Sequence, residues 1–502
     1  MGRRRLLPLF FFLLIATSSA VPLLYNSLDV RPLSRPSTLD SALPWSETLE
    51  ATESTTDSAA SSSPSLVFRL EHRDSLALNS SAAELFSLRL DRDSARVYSI
   101  DSRLAQQTHG RPISHGPSGA VPRPRRNVTR HLPSRRPRSF SSSIVSGLSQ
   151  GSGEYFTRVG VGTPSHSMYM VVDTGSDVMW IQCSPCLRCY TQSDPLFNPR
   201  ASSSFVNLPC SSPICRQLDT SGCSRRRSCL YQVSYGDGSS TVGDFSTETL
   251  TFGRTSIGRV ALGCGHDNEG LFVGAAGLLG LGHGDLSFPS QVGRIFGRRF
   301  SYCLSDRQAG STPSSTLIFG DAALPAPGRG AVFAPMVANP KLGTFYYVQL
   351  VGISVGGARV NVAASEFQIS ANGNGGVIVD SGTSVTRLVQ PAYIAMRDAF
   401  RAGTTQLNRT TAGFSLFDTC YDLSGKDVVK VPTVVFHFGR GSDLSLPASN
   451  YLIPVNTAGL FCFAFAGTSS GLTIIGNIQQ QGIRVVFDPV ASRVGFVPHA
   501  CG

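Results

Sequence analysis

The sequence predicts an all-β fold made of two related halves, and three observations support this prediction. From Ser152 onwards, β-branched and aromatic runs alternate with glycines, with turn signals roughly every ten residues, as in Tyr155 to Val161, Met168 to Val172 and Val260 to Leu262. The pattern Val171 to Ser176 recurs 207 residues later as Ile378 to Thr383. The 50 glycines and 30 prolines among 502 residues fit a chain with many turns.

The first 20 residues have the composition of a secretory signal peptide. Arg3 to Arg5 precede an apolar run from Leu6 to Ile15, and small residues follow up to Ala20. This run is too short to cross a bilayer, which takes about 20 apolar residues. No later segment of that length is apolar throughout, so we assign residues 1–20 as a signal peptide and expect no membrane anchor.

Residues 21–150 are predicted to form a weakly ordered pro-region. They contain a low-complexity Ser/Thr/Ala stretch from Ala51 to Pro64, a short amphipathic helix from Glu84 to Leu104 and a Pro/Arg/Ser linker from Arg123 to Arg138. The linker is open to two interpretations, a processing or inhibitory segment or a solvated connection.

The positive charge of the chain is concentrated in this N-terminal part. The formal net charge is +11, of which residues 1–150 carry +7 and residues 151–502 only +4. A nucleic-acid-binding protein would carry its basic surface on the folded body. We therefore expect no nucleic-acid partner.

One helix is predicted to interrupt the β-rich body. Pro391 suits a first-turn position, Tyr393, Met396 and Phe400 fall on one helical face, and Gly403 ends the pattern.

Each copy of the repeated pattern places an aspartate at the end of an apolar run. The copies are Asp173 to Ser176 and Asp380 to Thr383, and each is followed about 100 residues later by two aliphatic residues and a glycine, Leu278 to Gly280 and Ile474 to Gly476. A single copy would indicate only a turn at a strand end. The paired copies imply two half-domains that each contribute one aspartate.

These residue types suit a site built on two carboxylates. Asp173 and Asp380 held about 3 Å apart could not both ionise easily, so the pair would share one proton and act as base and acid together. A glycine N–H can reach each carboxylate, one hydroxyl can bond across to the other half, and another can bond its own aspartate. In chain order these supporting residues are Thr174, Gly175, Ser176, Ser381, Gly382 and Thr383.

All cysteines lie after residue 180, and their even number favours six disulfides in a secreted protein. The spacing of the first three resembles part of a metal-ligand run, but a suitably spaced fourth ligand is missing. We therefore expect no metal and no cofactor. The twelve residues are Cys183, Cys186, Cys189, Cys210, Cys215, Cys223, Cys229, Cys264, Cys303, Cys420, Cys462 and Cys501.

With both aspartate motifs in view, the chain resembles the pepsin-type aspartic endopeptidases, and more narrowly the plant nepenthesin-like (guard-cell aspartic protease-like) group. The resemblance extends from Ser152 to Cys501. Within this span it includes a flap-like hairpin at Tyr231 to Ser239, a cysteine-rich insert at Cys183 to Cys229 and two stretches near the C-terminus, Gly476 to Gln481 and Val485 to Asp488. Outside the span, Arg69 to Ser75 resembles a motif of the family's pro-region.

This resemblance implies a bilobal pepsin-like fold with the active-site cleft between two β-barrel-like lobes. The N-terminal lobe would span residues 151–340, including the insert at 183–229 and the flap, and the C-terminal lobe would span 341–502. By location, eight cysteines are compatible with four bridges in the first lobe. We further expect Cys420 to pair with Cys462, and Cys303 to pair with Cys501.

The resemblance also implies roles for individual residues. Asp173 and Asp380 would be the catalytic pair, and Tyr235, followed by Gly236, would close the flap over substrate. Trp180 would donate its indole N–H to the Tyr235 hydroxyl, although packing in the core is the simpler explanation for a tryptophan. Ser381 stands where threonine is usual in the family, but it keeps the hydroxyl.

The implied reaction is peptide-bond hydrolysis by a water activated between the two aspartates, without a covalent intermediate. Because one proton must be retained on the pair, we expect an acidic pH optimum. Polypeptide substrates and pepstatin-type inhibitors are the expected partners of a monomeric enzyme. We also expect the basic pro-region to block the acidic cleft until low pH releases it, with secretion to the apoplast or, alternatively, the vacuole.

Two other functions compete with this one. Gly147 to Gly151 matches the nucleophile elbow of serine hydrolases, but it lacks the preceding strand and following helix. The second alternative is a catalytically inactive pepsin-fold binding or inhibitor protein, but the aspartate motifs and flap tyrosine are intact. Among the N-glycosylation acceptors Asn79, Asn127 and Asn408, only Asn408 would remain in the mature body.

Overall fold

The computed structural model describes residues 23–31, 82–108, 140–146, 155–235, 239–270, 272, 274–304 and 315–501. Several features of the sequence lie outside these described residues: the signal peptide 1–20, the stretches Ala51 to Pro64, Arg69 to Ser75 and Arg123 to Arg138, the pentapeptide Gly147 to Gly151, and Asn79, Asn127 and Gly236.

The described part of the chain is an all-β fold, as predicted. Its largest sheet has 15 strands, most of which come from the first half of the chain. In chain order these strands are β2 (Phe140–Ser146), β3 (Tyr155–Val161), β4 (His166–Asp173), β5 (Trp180–Gln182), β6 (Val206–Asn207), β7 (Ser221–Cys223), β8 (Cys229–Ser234), β9 (Ser240–Phe252), β10 (Thr255–Glu269), β11 (Gly277–Gly280), β12 (Phe300–Cys303), β13 (Ser315–Phe319), β14 (Val332–Pro335), β28 (Arg484–Asp488) and β29 (Arg493–Val497).

The second half forms three four-stranded sheets. Their strands are β15 (Leu350–Val355), β16 (Ala358–Arg359), β17 (Val377–Val379), β18 (Thr386–Val389), β19 (Asn408–Arg409), β20 (Cys420–Asp422), β22 (Val434–Phe438), β23 (Ser442–Leu446), β24 (Leu452–Pro454), β25 (Leu460–Phe463), β26 (Phe465–Thr468) and β27 (Thr473–Ile475).

The two halves are joined because the last strands of the chain return to the large sheet. Strand β28 pairs antiparallel with β12, and β29 pairs antiparallel with β14. Phe300 and Phe487 face each other in the β12 and β28 register, with ring centroids 4.6 Å apart. Both rings are fully buried, so this contact fixes the C-terminal strands against the first half.

The sequence repeat is also a structural repeat. Strand β4 pairs in parallel with β11, which places Asp173 opposite Gly280. In the second half, β17 pairs in parallel with β27, and Val379 lies opposite Ile475. Each aspartate therefore leaves a buried strand beside the aliphatic-glycine segment that the sequence associated with it.

The described helices are α1 (Ala82–Thr108), α2 (Phe288–Gln291), α3 (Gly293–Phe296) and α4 (Gln390–Ala402). Helix α4 confirms the prediction from sequence, because Pro391 lies in its first turn and Tyr393, Met396 and Phe400 are buried. Helix α1 includes the predicted segment and is longer at both ends. None of the described helices is long and apolar enough to span a membrane.

Helix α1 packs against the second half of the chain through one apolar stripe. Phe86 and Leu90 are buried in one cluster, and Val97, Ile100 and Leu104 are buried in another. These spacings of three, four and seven residues place the side chains on one helical face. The polar residues on the same face are therefore also directed at the body.

A second segment of the N-terminal region adds a strand to the body. Strand β1 (Tyr25–Asp29) pairs antiparallel with β21 (Val428–Pro432), forming a two-stranded sheet. Leu28 lies opposite Val429, and both side chains are buried. No pattern in the sequence predicted this pairing.

All twelve cysteines lie among the described residues and form six disulfides. Four bridges fall within the first half, and the structure joins Cys420 to Cys462 and Cys303 to Cys501. The four first-half pairs are Cys183 with Cys264, Cys186 with Cys189, Cys210 with Cys223 and Cys215 with Cys229.

Candidate active site

The first aspartate is buried at the end of strand β4 and is held by its own turn. The backbone N–H of Gly175 donates to Asp173 Oδ1 at 2.9 Å, and the Ser176 hydroxyl donates to Oδ2 at 2.7 Å. Only 1% of the Asp173 side chain is exposed. Both carboxylate oxygens therefore have a fixed donor from the turn that the D-T-G-S motif forms.

The second aspartate has the same arrangement beyond strand β17. The Gly382 N–H donates to Asp380 Oδ1 at 3.2 Å, and the Thr383 hydroxyl donates to Oδ2 at 2.7 Å. The Asp380 N–H donates in turn to the Ile475 carbonyl at 3.1 Å. The two motifs thus hold their carboxylates in equivalent ways.

The turns of the two halves are linked directly by the residues that follow the aspartates. The Ser381 N–H donates to Thr174 Oγ1 at 2.8 Å, and the Thr174 N–H donates to Ser381 Oγ at 3.2 Å. The Thr174 hydroxyl also lies 3.2 Å from Asp380 Oδ1. This reciprocal link is the cross-lobe contact expected of these hydroxyls, and it fixes the separation of the two aspartate loops.

A residue that sequence reasoning did not single out lies between the carboxylates. Arg96 of helix α1 places its Nη2 atom 2.5 Å from Asp173 Oδ1 and 3.0 Å from Asp380 Oδ2. Its Nε donates to Asp380 Oδ2 at 3.1 Å. The sequence predicts the helix that carries Arg96 but not the surface on which the helix docks, so it gives no signal for this contact.

This guanidinium changes the ionisation of Asp173. Burial alone would raise the pKa of Asp173, but the charge of Arg96 and the hydrogen bonds from Ser176 and Gly175 outweigh it and lower the pKa. Burial likewise opposes the charge on Arg96, and the two carboxylates overcome it and raise the pKa of the guanidinium. With α1 in place, the site is an ion-paired triad of one cation and two carboxyl groups.

Helix α1 makes a second charged contact one turn away from the first. Asp93 accepts hydrogen bonds from the backbone N–H groups of Ser384 and Val385, the latter at 3.1 Å. Its other oxygen accepts from Arg387 Nη2 at 2.6 Å. Asp93 is fully buried and Arg387 is 7% exposed, so this ion pair is closed off from solvent.

Tyr235 and Trp180, between which the resemblance implied a hydrogen bond, lie in contact. Tyr235 follows strand β8, and Trp180 Nε1 donates to its hydroxyl at 2.9 Å. Phe272 packs edge-on against both rings. Burial raises the pKa of Tyr235, which keeps its hydroxyl protonated. Arg103 of α1 lies over the Tyr235 ring, 5.9 Å from its centroid.

One further titratable group beside the first motif was not predicted. Asp177 accepts hydrogen bonds from the Thr344 hydroxyl at 2.8 Å and from the Gly284 N–H at 2.9 Å. Burial raises the pKa of Asp177 to about 6, although these two hydrogen bonds act in the opposite direction. This carboxyl beside the site therefore titrates in mildly acidic solution.

Comparisons with known proteins match this geometry to a family. Two family models described as the N-terminal and C-terminal parts of a xylanase inhibitor match residues 155–321 and 345–498. Aspartyl protease family protein 2 of Arabidopsis thaliana is 63% identical over 87% of this chain and 85% of its own length. The protein ASPARTIC PROTEASE IN GUARD CELL 2 of the same plant is 52% identical over 72% of this chain and 76% of its own length.

The chain belongs to the plant nepenthesin-like aspartic proteases. Nepenthesin-1 of Nepenthes gracilis is also 42% identical over 72% of this chain and 81% of its own length. Because relatives at 52–63% identity are named as aspartic proteases, this aspartic protease is an aspartic-type endopeptidase that acts on peptide substrates.

Solved structures support the pepsin-like fold of this aspartic protease. The crystal structure of edgp matches with a TM-score of 0.58 at 21% identity, over 73% of this chain and 96% of that chain. Basic 7S globulin from soybean matches with the same TM-score at 20% identity, over 73% of this chain and 98% of that chain. At these identities the likeness concerns the fold alone.

Proposed function

We propose that Asp173 and Asp380 are the catalytic pair of an endopeptidase that is secreted as a zymogen and works at acidic pH. The observation that carries the proposal is that one atom of α1 lies within hydrogen-bonding distance of both carboxylates. This atom is Arg96 Nη2, which lies 2.5 Å from the Asp173 carboxylate and 3.0 Å from the Asp380 carboxylate. With α1 withdrawn, a water molecule at this position would contact both carboxyl groups.

The proposed reaction uses the two carboxyl groups in opposite protonation states. The ionised carboxylate takes a proton from the water as the water oxygen attacks the carbonyl carbon of the scissile bond. The protonated partner gives its proton to the carbonyl oxygen, which produces a gem-diol. When the gem-diol collapses, the C–N bond breaks, a proton passes to the leaving nitrogen, and the pair is again singly protonated.

The linked turns support the proposal that one carboxyl group acts as base and the other as acid. Each aspartate keeps two donors from its own turn, and the reciprocal Thr174–Ser381 link holds the two turns at a fixed separation. Preorganised donors of this kind need no rearrangement as charge develops. Tyr235, oriented by Trp180, would close over the bound peptide.

The zymogen part of the proposal rests on the charges that α1 places in the cleft. Against the effect of burial, Arg96 lowers the pKa of Asp173, so this contact favours docking when the carboxylate is ionised. The contribution is complete above the pKa that Asp173 has without the helix and is lost as pH falls through its lowered, docked value. Acid therefore favours release. The other charged groups at this interface are Arg89, Asp93, Asp101, Arg103, Asp177, Asp380 and Arg387.

One experiment tests the catalytic assignment. The full chain is expressed, incubated at acidic pH and assayed with a quenched fluorescent peptide, with and without a pepstatin-type inhibitor. We expect Asp173→Asn and Asp380→Asn each to lower kcat/KM by about 10³-fold or more. Asp285→Asn, whose side chain is 80% exposed, is the matched control and should retain activity. Full activity in either aspartate variant would refute the assignment.

The remaining parts of the proposal have direct measurements. The pH profile of cleavage should reach its maximum below neutrality, and N-terminal sequencing of the active form should show that α1 has been removed. Light scattering should give a monomer, and a fluorescent fusion should be found in the apoplast, with the vacuole as the alternative. Asn408 is exposed on β19, so an endoglycosidase should reduce the mass of the mature protein if this site carries a glycan.

A further inference from the structure

The contact between Asp93 and the second half of the chain has the features of a carboxylate-binding site. One oxygen of Asp93 accepts from two successive backbone N–H groups, Ser384 and Val385, and the other accepts from Arg387. Two backbone donors and a guanidinium converging on one carboxylate form the arrangement by which proteins recognise carboxylates. Strand β18 and the turn before it supply every donor of this set.

These donors depend on α1 for their partner. Among the described residues, the backbone N–H groups of Ser384 and Val385 have no acceptor other than Asp93. The acidic groups of the described residues that interact with Arg387 are Asp93 and Asp101, and both belong to α1. The Nε atom of Arg387 is buried without a hydrogen-bond partner in the described part of the chain. Withdrawal of α1 would leave an unpaired cation and two free N–H groups, which costs free energy unless another acceptor takes their place.

The site lies close to the proposed catalytic pair. Asp93 is three residues before Arg96 on the same helix, which corresponds to a rise of about 4.5 Å. An extended peptide advances about 3.3 Å per residue, so a substrate held at the aspartates would carry a side chain past this site within a few residues of the scissile bond.

We propose that Arg387, with the backbone N–H groups of Ser384 and Val385, forms a subsite that binds an acidic side chain of the substrate. Asp93 fills this subsite in the precursor in the way a substrate carboxylate fills it in the active enzyme. The proposal deepens the proposed endopeptidase function and rests on it. Arg387 is in this sense a specificity-determining residue rather than a catalytic one.

The test compares peptides that differ in one charge. Quenched fluorescent peptides with a common scissile bond carry Glu, Gln or Lys in turn at each position on either side of it. Acid-processed enzyme is assayed at about pH 5.5, where a free Glu side chain with a pKa of about 4.3 is ionised. At one position we expect kcat/KM for Glu to exceed that for Gln by about tenfold to a hundredfold, the range of a hydrogen-bonded ion pair, and Lys to be disfavoured.

Two further readouts distinguish recognition from a structural effect. Arg387→Gln should abolish the ratio between Glu and Gln peptides, Arg387→Lys should retain part of it, and Arg294→Gln, at an exposed arginine, should leave it unchanged. In the wild type the ratio should also fall as the pH is lowered to about 3, because the Glu side chain becomes protonated. Equal rates for Glu and Gln at every position, or a preference that survives Arg387→Gln, would overturn the proposal.

A binding measurement separates failure of the subsite from failure of the proposed function. The same peptides, labelled with a fluorophore, are titrated against the full chain carrying Asp93→Ala and Arg96→Gln, which removes the ion pairs that α1 makes with Arg387 and with the two aspartates. Tighter binding of a Glu peptide than its Gln counterpart, lost when Arg387→Gln is added, would support the subsite even if no peptide is cleaved. Equal binding of the two peptides would count against the subsite, whatever the outcome of the activity assay.

Discussion

Replacing Arg96 by glutamine should make the precursor activate at a higher pH. The guanidinium contacts both carboxylates, and its side chain is 21% exposed while theirs are nearly fully buried. Removing one partner of a buried ion pair typically costs about 3–5 kcal/mol. Because Arg96 keeps some solvent contact, we expect a value at or below the lower end of this range, about 2–3 kcal/mol of docking free energy.

That loss can be expressed as a shift in the activation midpoint. Without the cation, Asp173 retains its turn donors but loses the charge that lowers its pKa, so its protonation begins at a higher pH. At about 1.4 kcal/mol per pH unit for one proton, the expected shift is about 1.5–2 pH units upwards. Arg96→Lys keeps a charge but cannot donate to both carboxylates in the same geometry, and its shift should be intermediate.

The assay follows the conversion of the full-length chain in small pH steps. Loss of precursor is quantified on gels and compared with the appearance of activity towards a fluorescent peptide. Arg294→Gln, which removes an exposed arginine from the body, should leave the midpoint unchanged. An Arg96→Gln chain that is processed with the wild-type midpoint would show that the ion pair does not control release of α1.

Three further predictions concern the body of the protein. Trp180→Phe removes the donor to the Tyr235 hydroxyl and should lower kcat/KM by about tenfold while reducing stability by only about 1 kcal/mol, as measured by steady-state kinetics and urea unfolding. The raised pKa of Asp177 means that the folded wild type favours the protonated carboxyl and loses stability as the pH rises from about 4 to about 6. In Asp177→Asn this pH dependence should be absent, which urea titrations across the same range will test. Replacing both Cys303 and Cys501 by serine opens a bridge between residues 198 apart and should lower the free energy of unfolding by about 2–5 kcal/mol in denaturant titrations, and an unchanged value would refute it.

The parts of the site that the sequence predicted are those with local causes. The D-[ST]-G turns supply their own carboxylate donors within three residues, so the roles of Gly175 and Ser176 follow from the motif alone. Helix α4 is likewise predictable, because Pro391 and the spacing of Tyr393, Met396 and Phe400 are local signals. The parallel pairing of each aspartate strand agrees with the matched aliphatic-glycine segments.

The parts that the sequence did not predict depend on contacts between distant segments. Strand β1 pairs with β21 some four hundred residues away, and five residues of ordinary composition carry no information about that choice. A helix at the position of α1 is predictable, but not the surface on which it docks, so Arg96 and Asp93 do not stand out in the sequence. The richest basic stretch is instead Arg123 to Arg138, which lies outside the described residues. Net charge identifies a basic segment but not the one cation that reaches a particular carboxylate.

The charges on α1 also help to determine where the helix docks. A shift of three residues along α1, which would bring Asp93 to the position of Arg96, would also bring Ser94 to the place where Val97 packs and Asp101 to the place where Leu104 packs. Such a shift would place the Asp93 carboxylate against Asp173 and Asp380, and this contact would be repulsive. In the observed register Arg96 meets Asp173 and Asp93 meets Arg387, so each charge faces the opposite charge. Two ion pairs of opposite polarity, one turn apart, therefore favour the same register of α1 as its hydrophobic contacts do.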